Sequence, residues 1–97
     1  MNTENLITVH TLSTHYQVEV AFFNNLDEIG LIEILNIDET HYIHNDAIYK
    51  IEKIIRIHQD LDVNIEGVAI ILNLLQKIDS LEQELTTVKN SLRIYDN

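Results

Sequence analysis

Cysteine, proline and tryptophan are absent from the 97 residues, glycine occurs twice, and nothing before Lys50 is basic. Each absence removes a class of explanation. Without cysteine there is neither a disulfide framework nor a thiolate zinc site, which points to a reducing, cytoplasmic setting. With no proline and only Gly30 and Gly67, the chain has no glycine-rich phosphate loop and no Ser/Gly linker. Apolar runs such as Val68–Leu72 fall far short of the roughly 20 residues needed to cross a bilayer, so no membrane association is expected. Met1–Leu6 carries Glu4 but no cation, unlike a secretory leader. One soluble domain over residues 1–97 is expected, and at this length pairing with another chain is a ready source of extra stability.

The charge is −10, and its distribution matters more than its size. The six cations are Lys50, Lys53, Arg56, Lys77, Lys89 and Arg93. Before them come Glu4, Glu19, Asp27, Glu28, Glu33, Asp38, Glu39 and Asp46. Such a half repels phosphate and attracts a cationic partner.

Along the chain the pattern is mainly α. Thr8 is a suitable N-cap for a short helix from Val9 to about His15, followed by a turn at Tyr16–Val18. A second helix, from about Glu19 to Ile29, carries the apolar stripe Val18, Phe22, Leu26 and Ile29, with Gly30 in the C-cap position. From Leu31 to Ile37 and from His41 to Ile43 the β-branched content predicts a short hairpin around Asp38–Thr40. Asn45 is the expected cap of a third helix, whose face is set by Ile48, Ile51, Ile55 and His58 and widened by Ala47, Ile54 and Leu61. A break at Asp60–Val63 precedes Asn64, which caps the last helix, with Glu66 in its first turn. The layout divides at about residues 6–63 and 64–95.

The last helix has two stripes. Ile71, Leu74, Ile78, Leu81, Leu85, Val88, Leu92 and Tyr95 alternate spacings of three and four, a heptad seam. Ile65, Val68, Ala69, Leu72 and Leu75 lie on a neighbouring face and suit packing on the chain's own helices. With Ile71 at position a, Lys77 and Glu84 fall at g and Glu82 and Lys89 at e, which permits attractive pairs in a parallel coiled coil and also in antiparallel registers. A homodimer is expected; the competing reading packs the seam on the third helix.

Little suggests catalysis. No carboxylate pair or Ser/His/Asp set has a recognisable spacing, so no enzyme activity and no cofactor are expected. His41 and His44 form an H-x-x-H spacing, but in a strand their side chains point to opposite faces, which disfavours a shared metal. His58 suits a hydrogen-bonded core-edge position. The two short helices around a tight turn have a helix-turn-helix layout, yet the second offers Asn24 and Asn25 among Glu19, Asp27 and Glu28 and lacks any cation for phosphate.

The order of these elements, with the run Arg56–Val68 and Leu74–Leu75, resembles the chaperone-modulator CbpM family, a branch of the MerR-like helix-turn-helix proteins. Its most specific part is the H-x-D-L-x-x-N-x-E-G stretch, His58–Gly67. The resemblance implies a MerR-like winged helix-turn-helix with a short β-hairpin wing and a long C-terminal helix. It implies a cytoplasmic bacterial regulator that binds a co-chaperone of the DnaJ or CbpA type at its J-domain and restrains it. The alternative is a MerR-type transcriptional regulator binding DNA as a dimer. DNA-reading MerR-like proteins carry Arg and Tyr early in the second helix, where this chain has Val20, Ala21, Phe22 and Phe23; direct DNA binding is therefore not expected. Glu19, Asp27, Glu28, Asp60, Asp62 and Glu66 are the candidate partner-binding residues, against the simpler alternative that each is a solvated charge. Asn64, Gly67 and Leu61 are explained by capping, close packing and core burial.

Overall fold

The structure, a computed structural model, describes residues 4–96, with side chains to Arg93. The order is β1 (Leu6–Thr8), α1 (Val9–Tyr16), α2 (Val20–Glu28), β2 (Leu35–Ile37), β3 (Thr40–His44), α3 (Ile48–Leu61) and α4 (Ile65–Asp96), with one 3₁₀ turn at Asn45–Ala47. The protein is mainly α, as its apolar spacing predicts.

Local chemistry sets the ends of the first two helices. The Thr8 hydroxyl accepts from the Thr11 amide at 3.0 Å and caps α1. At the other end Gln17 takes a left-handed conformation (φ 57°), and the Val18 amide reaches back to the Ser13 carbonyl at 3.1 Å. α2 stops at a Schellman turn: Gly30 N–H donates to Asp27 O at 3.1 Å and Leu31 N–H to Leu26 O at 2.9 Å. Gly30 sits at φ +82°, the conformation a glycine adopts without Cβ strain.

The sheet has the order β1-β3-β2 and is antiparallel throughout. The β2–β3 hairpin turns through Asp38 and Glu39, both at positive φ (50° and 63°), as a two-residue turn matched to strand twist requires. Its first strand is shorter than the β-branched run suggests. Leu31 belongs to the helix cap, and the Ile34 amide donates to Asp27 Oδ1 at 3.1 Å, so ladder pairing starts only at Leu35.

Strand β1 was not expected from the sequence. Its register pairs Ile7 with Ile43, and the Asn45 amide donates to Asn5 O at 2.8 Å. That pairing corrects the cap of the third helix. Asn45 opens the 3₁₀ turn instead of capping α3; His44 caps that turn, its Nδ1 accepting from the Asp46 amide at 3.1 Å, and α3 itself starts after Ala47 with no side-chain cap.

Val9, Leu12, Phe23, Leu26, Ile32, Ile43, Ile51, Ile54, Ile55 and Val68 form the buried core. Every α-helix and strand β3 contribute a buried residue, while β1, β2 and the 3₁₀ turn do not, and Ile7 of β1 packs against the cluster from outside. Ile65 and Leu72 of α4 lie against the same cluster, while Leu75 remains 39% exposed; the inner stripe therefore ends sooner than its spacing suggests. Leu61, expected on the buried face of α3, is 59% exposed, because the helix is already turning into its left-handed end at Asp62. Beyond the core α4 projects as a single helix, and the molecule spans 62 Å along its longest axis.

Candidate functional site

The turn between α3 and α4 is built from the His58–Gly67 stretch. The Asn64 side-chain carbonyl accepts from the Gly67 amide at 2.8 Å, and the Asn64 main-chain carbonyl accepts from Val68 at 2.9 Å. A Cβ at Gly67 would stand 3.1 Å from Asn64 Oδ1, so the absence of a side chain leaves room for the cap acceptor. His58 closes the turn from the other side, its Nδ1 lying 2.7 Å from the Val63 carbonyl oxygen. A carbonyl only accepts, so Nδ1 carries the proton, and in the neutral ring Nε2 is left as an acceptor.

This turn faces α2 across a groove. One section, about 470 Å³, is lined by Glu19, Phe22, Asn25, His58, Gln59 and Ile65 together with Gln17, Val18 and Ala21. The adjoining section, about 390 Å³, is lined by Asn25, Glu28, Ile29, His58, Asn64, Ile65 and Glu66. Asn25, His58 and Ile65 belong to both, so the two form one continuous surface. Its floor is the Phe22–His58 contact, ring centroids 5.2 Å apart and planes tilted by 40°. No lysine or arginine lines either section.

The structure places three of the six acidic candidates on this rim: Glu19, Glu28 and Glu66. Asp27 holds the Ile34 amide. Asp60 and Asp62 are exposed but line neither section, Asp62 being the left-handed residue that ends α3. Phe22, Asn25 and Ile65 are wall residues that sequence spacing had assigned elsewhere or not at all. Phe22 belongs to a core stripe by period, yet it is only half-buried because the stripe's edge opens into the groove.

The heptad seam on α4 is the second feature. Leu74, Ile78, Leu81, Leu85, Val88 and Leu92 are each between 50% and 63% exposed, and Ile71 is half-buried. The seam does not fold back on α3. The side chain of Tyr95 lies outside the described residues. Among those residues no group of three or more metal-ligating side chains is gathered closely enough to hold an ion. His41 and His44 stand exposed on β3, with His44 Nδ1 3.3 Å from Asp46 Oδ2. No helix among the described residues is long and apolar enough to cross a membrane.

Two short helices around a tight turn, a hairpin wing paired with an N-terminal strand and a long final helix define a winged helix-turn-helix protein. The family model for MerR HTH family regulatory proteins matches residues 7–90, and the chain belongs to that family. Comparison with curated proteins and with solved structures finds no match.

Proposed function

We propose that this MerR-family protein is a cytoplasmic protein-binding regulator that occupies the J-domain of a DnaJ- or CbpA-type co-chaperone and restrains it. The observation that carries this reading is the groove over α2, where a helix that would read DNA instead presents Glu19 and Glu28, faces Glu66, and has no cation along the groove. Duplex DNA is held mainly by cations on its phosphates, so this face repels it. A basic helix is the complementary surface, and the J-domain's basic helix, implied by the resemblance to chaperone modulators, supplies one. Association of this kind is fast at low salt and weakens as salt rises.

The α4 seam supports a homodimer. A row of half-exposed leucine, isoleucine and valine over several turns is costly in water and is relieved by a second helix with the same repeat. Since the groove and the exposed half of α4 are built from different residues, each chain of a dimer keeps its groove.

Isothermal titration of the purified full-length protein with a J-domain tests the reading. Binding is expected at about 0.05 M salt and should weaken strongly by about 0.5 M, where the screening length has fallen to a few ångström. The triple variant Glu19→Lys, Glu28→Lys, Glu66→Lys should lose about tenfold or more in affinity. No detectable binding at low salt sinks the proposal. The family's description as regulatory proteins favours one second reading, a dimeric transcriptional regulator. A gel shift of duplex DNA by the isolated protein at near-physiological salt would establish that reading instead.

A further inference from the structure

A second cleft lies between α3 and α4, and its charge is opposite to that of the first. About 340 Å³ in volume, it has Leu31, Ala69 and Leu72 as apolar walls, Lys50 and Lys53 on the α3 side, and Asn73 and Gln76 on the α4 side. Tyr49 stands at its mouth, 82% exposed. Among the described residues no carboxylate lines it. In a chain with 16 acidic residues and 6 basic ones, two neighbouring lysines on one rim with no ion pair to either among the described residues are a local reversal of sign. The nearest turn of α4 adds Lys77 beyond Gln76.

We infer that the α3–α4 cleft is a docking site for an acidic, partly apolar peptide segment of a partner protein. Each wall has a counterpart in such a segment. Lys50 and Lys53 meet its carboxylates; Leu31 and Leu72 take an apolar side chain; the Asn73 and Gln76 amides, each both donor and acceptor, suit peptide groups. A duplex fits poorly. Two cations above an apolar floor neutralise too little phosphate to overcome the repulsion of a strongly acidic chain.

A second copy joined through the heptad seam does not fill the cleft either. With Ile71 at position a, Ala69 and Gln76 fall at f, Leu72 at b and Asn73 at c, the outer positions of the repeat. The cleft therefore stays open when α4 pairs along its seam. The acidic groove over α2 and the basic cleft over α3 are separate surfaces, so the protein can hold a basic and an acidic element at once. This inference does not depend on the J-domain reading.

The test is a ¹⁵N HSQC titration of the full chain with a synthetic amphipathic peptide of roughly 15 residues, long enough to form some helix, with leucine on one face and glutamate elsewhere. A matched peptide with lysine in place of glutamate is the control. Expected are shifts at Tyr49, Lys50, Lys53, Leu72, Asn73 and Gln76 with the acidic peptide and not with the basic one. Lys50→Glu/Lys53→Glu should weaken the acidic peptide about tenfold or more while far-UV circular dichroism and thermal midpoint stay unchanged. Both lysines are exposed, so the variant should fold. The inference is overturned by shifts confined to the seam residues Leu74, Ile78 and Leu81, by equal binding of the two peptides, by affinity that survives the charge reversal, or by a duplex oligonucleotide that shifts the same residues more tightly than the acidic peptide does.

Discussion

The Nδ1 of His58 sits 2.7 Å from the carbonyl oxygen of Val63, so one imidazole ties the last turn of α3 to the residue before the α4 cap while its other face packs on Phe22. The contact holds the α3–α4 turn and the groove floor together. His58→Ala removes a partly buried hydrogen bond and a ring contact, together about 2 kcal/mol. Urea unfolding should show a lower midpoint at an unchanged slope. A variant as stable as the parent would mean that the turn is held without the ring.

Asn64→Ala should cost about 1 kcal/mol, because the Gly67 amide loses its acceptor at the start of α4. Asn64→Asp keeps that acceptor and should retain most of the stability. For a chain of this size the alanine variant is expected to melt roughly 4–8 °C lower, readable by circular dichroism at 222 nm.

Two of the three left-handed helix ends, Gln17 and Gly30, should respond to substitution in opposite directions. Gly30 has open space where a Cβ would go, so Gly30→Ala tests backbone strain alone and should destabilise by about 1 kcal/mol. Gln17 already bears that strain at φ 57°, and Gln17→Gly should stabilise by about 0.5 kcal/mol after the added freedom of the unfolded chain is subtracted. Destabilisation by Gln17→Gly would show that its side chain does more than tolerate the turn.

Tyr16 Oη donates to Glu52 Oε1 at 2.8 Å and joins α1 to α3. Burial, the hydrogen bond to Glu52 and the Glu52 charge, in that order, raise the Tyr16 pKa above its usual value. The folded state therefore holds the phenol proton more tightly than the unfolded chain. The resulting stabilisation is complete below the ordinary tyrosine pKa of about 10 and is lost as pH rises through the higher folded value. Denaturation midpoints should fall over that alkaline range, and the Tyr16→Phe variant should lose this part of the slope. An identical pH profile for the two would remove the linkage.

Leu85→Asp/Leu92→Asp places two carboxylates in the half-exposed seam. Light scattering should show the mass drop from dimer to monomer with the core helices intact. A mass unchanged by the substitutions would exclude the seam as an interface.

Features governed by neighbours within a few residues follow directly from residue order. The Thr8 and Asn64 caps, the Gly30 stop and the long α4 each depend on contacts three to five positions apart or on the helical period, and a linear pattern carries those in full. The acidic candidates were likewise readable as a charge distribution, but not as a surface.

Contacts between distant parts of the chain settled the rest. Three residues from Leu6 to Thr8 are too few to signal a strand, and they become one only because β3 offers an edge; beside that pairing Asn45 enters a 3₁₀ turn capped by His44 and does not cap α3. The end of the inner stripe before Leu75 depends on where the core stops, which no period reveals. Glu19, Glu28 and Glu66 share a groove because the α3–α4 turn folds against α2, whereas Asp27, only one residue from Glu28, points to the Ile34 amide. The seam was written in the order of residues, but only the packed core shows that no other described element covers it. Periodicity is a property of the backbone, while exposure is a property of what the other elements leave uncovered.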